Sequence, residues 1–292
     1  MSRDSKGRKD VISPKPSKKN QQKLTMEIGE VRVAEDKDFE QLKKLIDLED
    51  GWKSDYKKKM TQVWTKSTQQ TNIKIIKLKT IYTDVSPALL FDVLLDPDYR
   101  KMWDTHVVES YDIGCLNPNN DLGYYAVKCP SPLKNRDFVL LRSWLVTKNE
   151  HMLINHSVYH DSAPPKKGFV RGISLLTGFV IRPVKDNGCE LNYVTQCDPK
   201  GSLPVWMVNK LTQIFAPKMV KRLHKACVGY DSWKIKNNPN FKPWINPEQM
   251  MLPRIDMACC MRNELQRSTE SIDESNLEES CEKEDLSDDD DS

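Results

Sequence analysis

A chain of 292 residues that is 38% apolar, with seven Trp and nine Tyr, has enough hydrophobic material for one large domain and too much for a wholly disordered protein. Its net charge of +3 conceals a split: residues 1–23 carry eight basic and two acidic side chains, residues 264–292 carry thirteen acidic and two basic, and the body between is left at +8. Eight cysteines without a C-x-x-C pair suit neither a zinc knuckle nor a disulfide framework, the polar and basic first residues do not read as a secretory signal, and no apolar run approaches the length of a membrane span.

In chain order, residues 1–24 read as a disordered basic arm, 25–248 as one domain, and 249–292 as a linker running into a disordered acidic tail. The domain opens with a helix, capped by Asp36 or Asp38, on which Phe39, Leu42, Leu45, Ile46 and Leu48 fall at helical spacing. Strands are predicted at 52–57, 63–66 and 73–82. Asp84-Val85-Ser86-Pro87 then supplies a cap and a first-turn proline for a helix over 88–95, with a second short helix over 98–103. Six further strands are predicted at 106–113, 122–129, 137–146, 151–159, 169–182 and 189–197, each bounded by Pro, Gly, Asn or Asp. A long helix over 204–227 closes the domain, entered through Gly201-Ser202-Leu203-Pro204, with Pro217 inside it as an expected kink. The order is α+β: about nine antiparallel strands, enough to curl, with one long helix free to lie across them.

Two features bear on function. Residues 137–146 and 169–181 are largely apolar on both faces, with Arg142, Arg171 and Ser174 among the few interruptions, which fits either a tightly packed core or a sheet lining a greasy cavity. The last helix carries an apolar stripe, Leu211, Ile214, Phe215, Met219, Leu223 and Ala226, and a basic one, Lys210, Lys218, Lys221, Arg222 and Lys225. No G-x-S-x-G, H-E-x-x-H, Walker loop or G-x-G-x-x-G occurs, and the five histidines show no metal spacing, so catalysis is not expected. The aromatics lie within apolar strands rather than among the basic residues, which argues against a nucleic-acid partner.

DYRKMWD (98–104), GYYAVKCPSPLKNRD (123–137), CDPKGSLPVWMVNK (197–210) and NFKPWINPEQ (240–249) together resemble the START (StAR-related lipid transfer) domain family, over roughly residues 26–250. The resemblance implies a helix-grip fold, a curled antiparallel sheet around an apolar cavity closed by the long C-terminal helix. It implies one enclosed phospholipid as cargo, no other cofactor and no catalysis. In the phosphatidylcholine-binding branch an Arg and an Asp of the matching YR-x-x-WD stretch hold the head group; here these are Arg100 and Asp104. The chemistry is sound, since a phosphodiester is a permanent anion and arginine offers paired donors to it. The same branch encloses choline in three aromatic rings, a cation–π cage. Two of those positions fall on Tyr125 and Phe138, and the third falls on Leu175. A missing wall admits phosphatidylethanolamine beside phosphatidylcholine.

Two acyl chains hold roughly thirty methylenes at about 0.8 kcal/mol each, so on the order of 24 kcal/mol of hydrophobic transfer must be replaced by protein wall. Such a carrier must also open. The Cys129–Arg136 loop and the last helix are the expected lid, and Trp206, Lys218, Lys221, Arg222 and Lys225 are the expected contact with anionic membrane. Ser287, followed by Asp288, Asp289 and Asp290, is an expected site for an acidophilic kinase, whose phosphate would make the tail a stronger competitor for the basic body. The expected protein is a cytoplasmic monomer, transiently at membranes. The alternative is a lipid sensor or scaffold that has the same pocket and does not transfer.

Overall fold

Why these residues fold as they do is clearest at the helix starts. Ser86 precedes Pro87 and accepts from the Leu89 amide at 3.2 Å; Asp96 precedes Pro97 and accepts from the amides of Asp98 and Tyr99 at 3.2 and 3.1 Å. Each is a side-chain cap followed by a proline whose missing N–H costs nothing in the first turn. The first helix is capped by Glu35, one residue before Asp36 and three before Asp38, and the Glu35 amide donates to Asp38 Oδ2 at 2.8 Å in a capping box.

The computed structural model describes residues 26–68, 71–201, 216–260 and 273–278, with the single positions 203, 207 and 214. Its elements are α1 (Asp36–Asp47), β1 (Lys53–Lys58), β2 (Thr61–Lys66), β3 (Ile75–Tyr82), α2 (Pro87–Leu95), α3 (Pro97–Trp103), β4 (Val107–Asn117), β5 (Asn120–Val127), β6 (Asn135–Val146), β7 (His151–Ser157), β8 (Phe169–Arg171), β9 (Ile173–Pro183), β10 (Cys189–Asp198) and α4 (Ala216–Lys236). The strands form one sheet in the order β1-β2-β3-β10-β9-β7-β6-β5-β4, antiparallel along that path, with β8 beside β6 in parallel. This is the expected α+β arrangement with ten strands rather than nine. The extra strand arises because the predicted run 169–182 breaks at Gly172, whose amide turns to the carbonyl of Asp137 and over which the Phe138 ring lies so closely that no side chain fits there.

Alternation divides the sheet into two faces. On one, Ile75, Leu122, Tyr124, Val139, Leu141, Met152, Ile154, Leu176, Val180 and Val194 pack under the apolar stripe of α1. On the other, Leu78, Tyr82, Trp144, Leu153, Ile181, Cys189 and Leu191 pack against α2, α3 and α4.

The closing helix differs from expectation at its far end. It continues to Lys236, nine residues past the predicted stop, because Tyr230 and Lys234 both donate to Asp96 Oδ2, at 3.0 and 2.8 Å, and tie the last turns to the cap of α3. Pro217 is the second residue of α4 as described, and the expected start at 204 with most of the stretch before Pro217 lies outside the described residues. The stretch expected as linker also packs: the Cys115 amide donates to Pro253 O at 2.9 Å, and the Ile255 amide donates to Cys115 O at 3.1 Å, laying 253–255 along β4. In the expected tail, Glu274 is buried against Arg136.

Candidate functional site

The face of the sheet that meets α4 is not uniformly filled. At the end holding Tyr82, Cys189, Ile181, Leu153 and Trp144 the side chains are buried. At the other end of the same face Ile76, Phe138, Leu140, Phe179 and Tyr193 remain half-buried, although they belong to central strands and point inward. Inward-facing aromatic and aliphatic groups that keep open surface line a hollow rather than a packed core.

Arg100 reaches this region from the last turn of α3. Protein surrounds it, yet 36% of its side-chain surface stays open. Its guanidinium lies 4.9 Å from the centroid of the Tyr125 ring. It donates to Asp104 Oδ2 from Nε at 3.4 Å and from Nη2 at 3.5 Å, and to the Tyr125 hydroxyl at 3.4 Å; that hydroxyl in turn donates to Asp104 Oδ2 at 3.4 Å. These are long bonds against the usual length of about 2.9 Å. Burial works against the charge of Arg100, and Tyr125 and Asp104 more than offset it, so its pKa is raised and it stays cationic. Burial pushes the Tyr125 hydroxyl up to about 12, which keeps it a donor.

The other interior arginines are satisfied. Arg171 meets both Asp137 oxygens at 3.0 Å and the carbonyls of Ala163 and Pro164 at 3.1 Å. Arg142 meets both Asp121 oxygens at 2.8 and 2.5 Å. Arg136 is saturated by three carbonyls and Glu274. Arg100 alone among these four has only long bonds and open surface, so it retains capacity for an anion.

Of the predicted site residues, the structure brings Arg100, Asp104 and Tyr125 together, and Phe138 stands directly opposite Tyr125 in the β5–β6 register. Leu175 is not brought to them. It is the extra residue of a β9 bulge, where Leu176 faces Gln196 and Ser174 faces Cys197, and it lines a small gap with Met26, Leu42 and Ile154 on the α1 side. The aromatic group on the open face is instead Tyr193. Its ring is 4.8 Å from Phe179, its hydroxyl lies within electrostatic reach of Tyr125 and Arg100, and burial raises it to about 12. Sequence reasoning missed Tyr193, although it shares the parity of Cys189 and Leu191 along β10. Arg142 lines a separate recess of about 270 Å³ with Trp144, Trp233 and Trp244, where Arg142 itself and Lys234 already stand over the rings.

On α4, Lys221 and Lys225 are exposed and Lys218 and Arg222 half-buried, and none is ion-paired to another described residue. Trp206 and Ser287 lie outside the described residues. Among the described residues no helix is long and apolar enough to cross a membrane, and no cluster of His, Cys, Asp and Glu is arranged to hold a metal.

Comparison with known proteins agrees with this geometry. A family model described as the START domain matches residues 32–234. START domain-containing protein 10 of Mus musculus is 42% identical over 254 residues, 87% of each chain. The phosphatidylcholine transfer protein of Bos taurus is 30% identical over 166 residues, 56% of this chain and 77% of its own. The crystal structure of human STARD10 superposes with a TM-score of 0.74 at 42% identity, covering 79% of this chain and 94% of that one. The open-ended face beneath α4, with a partly satisfied arginine at its edge, therefore belongs to a START domain, and the chain is a member of the START domain family.

Proposed function

We propose that the protein encloses one glycerophospholipid, phosphatidylcholine or phosphatidylethanolamine, in the half-open end of the sheet and carries it between membranes. The observation that carries this reading is Arg100: a cationic guanidinium within the protein, only weakly bonded, beside a half-buried apolar wall. Asp104 and Tyr125 orient it, and a phosphodiester supplies the close acceptors it lacks. Similarity to a phosphatidylcholine transfer protein supports the cargo class. Tyr125 and Phe138 offer two aromatic walls to an ammonium group, and one face of Tyr125 is already taken by Arg100. A cage in that state distinguishes choline from ethanolamine weakly, so both head groups are accepted.

The exposed Lys221 and Lys225, with Lys218, Arg222 and Trp206, hold the domain to anionic membrane during exchange. The acidic tail competes for that basic surface, and phosphate on Ser287 strengthens the competition; equal vesicle binding by Ser287→Asp, Ser287→Ala and tail-deleted protein would exclude it. The principal test is native mass spectrometry of the purified chain followed by a donor-to-acceptor vesicle assay. The expected result is one phospholipid per chain, with transfer of that lipid. A bound lipid without transfer would make the protein a sensor or scaffold, and an empty chain that extracts nothing would end the reading.

A further inference from the structure

Arg136 lies on β6 two residues before Phe138, so both face the half-open end and Arg136 marks its rim. The guanidinium is almost wholly buried, with 2% of its side chain exposed. It donates to Lys134 O at 2.5 Å, Pro199 O at 3.0 Å and Lys200 O at 3.2 Å, and to Glu274 Oε2. The other oxygen of Glu274 accepts from the Lys134 amide at 2.9 Å. One ion pair thus joins three stretches far apart in sequence: the 129–136 loop, the chain leaving β10 toward the closing helix, and the acidic tail.

Glu274 is 5% exposed on its side chain, whereas its neighbours Asp273, Ser275, Asn276 and Glu278 are exposed. Among the described residues of the segment Glu274 is the buried one, and Leu277 is half-buried beside it. Asp273 Oδ1 accepts from the Ser275 amide at 3.0 Å and from its hydroxyl at 2.6 Å, which shapes the turn that presents Glu274. Without Glu274, a buried cation would be left with carbonyls alone, a costly arrangement. The remaining partners would then separate more readily.

We propose that residues 273–278 are a latch on the mouth of the cavity. While Glu274 occupies Arg136, the 129–136 loop is clamped to Pro199 and Lys200 and the rim is held as it stands here; when it withdraws, the loop can move and the rim can widen. Twelve residues separate Cys260 from Asp273, so the segment stays covalently joined to the domain when it withdraws, and release is reversible. The latch rests on the carrier reading for its role in exchange, and on the Arg136–Glu274 contact alone for its existence.

The test uses the full chain as wild type, Glu274→Ala, Glu274→Gln and Glu278→Ala. Glutamine keeps an acceptor for the Lys134 amide and removes the charge; Glu278→Ala removes an equal charge from an exposed position. Hydrogen exchange followed by mass spectrometry reads the amides of Cys129, Leu133 and Lys134, and vesicle transfer reads opening. The expected result is local exchange and transfer both faster by roughly tenfold in Glu274→Ala, less in Glu274→Gln and unchanged in Glu278→Ala, with the rest of the exchange map unaltered. If Glu274→Ala fails to fold, the glutamine variant decides.

Unchanged loop exchange in both Glu274 variants would overturn the latch, as would an equal effect in Glu278→Ala or a uniform rise over the whole domain. Faster loop exchange with an unaltered transfer rate would also overturn it. If no variant carries lipid, the carrier reading fails separately, and the loop exchange alone judges the latch.

Discussion

Replacing Arg100 by glutamine separates a binding arginine from a framework arginine. Arg100 makes only bonds of 3.4–3.5 Å and keeps a third of its surface open. Removing it forfeits little and relieves the desolvation of a charge. The expected change in unfolding free energy is within about 0.5 kcal/mol of zero. With a phospholipid bound, the same change removes charge-assisted bonds worth about 1.5–3 kcal/mol, a loss of roughly 10- to 150-fold in affinity.

Arg171→Gln is the matched comparison. It leaves Asp137, 1% exposed on its side chain, as an unpaired buried carboxylate, and the expected loss of stability is about 3–5 kcal/mol. Urea unfolding of delipidated protein gives the first quantity, and retention of a fluorescent phosphatidylcholine gives the second. If Arg100→Gln unfolds as easily as Arg171→Gln, or holds phosphatidylcholine as tightly as wild type, the assignment of Arg100 to the cargo is wrong.

Other expectations concern the frame and the surface. A Cβ at Gly178 would overlap Leu42 of α1, so Gly178→Ala should cost about 1–3 kcal/mol in urea, and clearly less in a Leu42→Ala background. His156 is buried, one ring nitrogen bonded to Glu30 O at 2.8 Å and the other without a partner, and burial holds its pKa below the ordinary 6.5. The unfolded chain therefore binds a proton first, so the stability contributed by the neutral ring is present above pH 6.5 and is lost as pH falls below it toward the folded pKa. Melting temperatures measured from about pH 7 to pH 5 should fall in wild type and fall less in His156→Gln. Charge reversal of the exposed Lys221 and Lys225 should weaken binding to anionic vesicles by about 1 kcal/mol or more per site and leave binding to neutral vesicles unchanged.

How much of this was legible follows the range of the interactions involved. The caps at Ser86-Pro87 and Asp96-Pro97 and the stripe of α1 are local patterns; the Asp96-Pro97 cap was passed over, whereas the Ser86-Pro87 cap and the stripe appeared where the residues placed them. The end of α4 did not, because Tyr230 and Lys234 extend it by bonding to Asp96, more than 130 positions away. Gly172 stands inside a run that reads as one strand, and only the Phe138 ring above it explains why a strand ends there. At the site, Arg100 and Asp104 are neighbours on one helical turn and could be paired from spacing. Leu175 was misplaced by a bulge, which shifts side-chain facing by one residue and leaves no mark in the alternation. Glu274 lay within an acidic run that resembles any solvated tail, and its partner is 138 residues distant.

The contrast among the arginines has a thermodynamic consequence. Burying a cation is tolerated when its donors are met, and Arg136, Arg142 and Arg171 show that this chain can meet them. At Arg100 it does so incompletely: Tyr125 supplies a ring 4.9 Å away, and Asp104 stands at the end of α3 as a distant counter-charge. The charge is oriented without being quenched, and the unfilled capacity is matched by the unfilled apolar wall beside it. The glycerophospholipid proposed as cargo would remove both deficits at once, since it brings an anion and two hydrocarbon chains together. Folding and loading are then linked, because cargo that binds the native state alone stabilises it, by about 2.7 kcal/mol at a hundredfold excess over its dissociation constant. A rise in melting temperature on loading that disappears in Arg100→Gln would tie that stabilisation to the phosphate, whereas a rise that persists would assign it to the acyl chains.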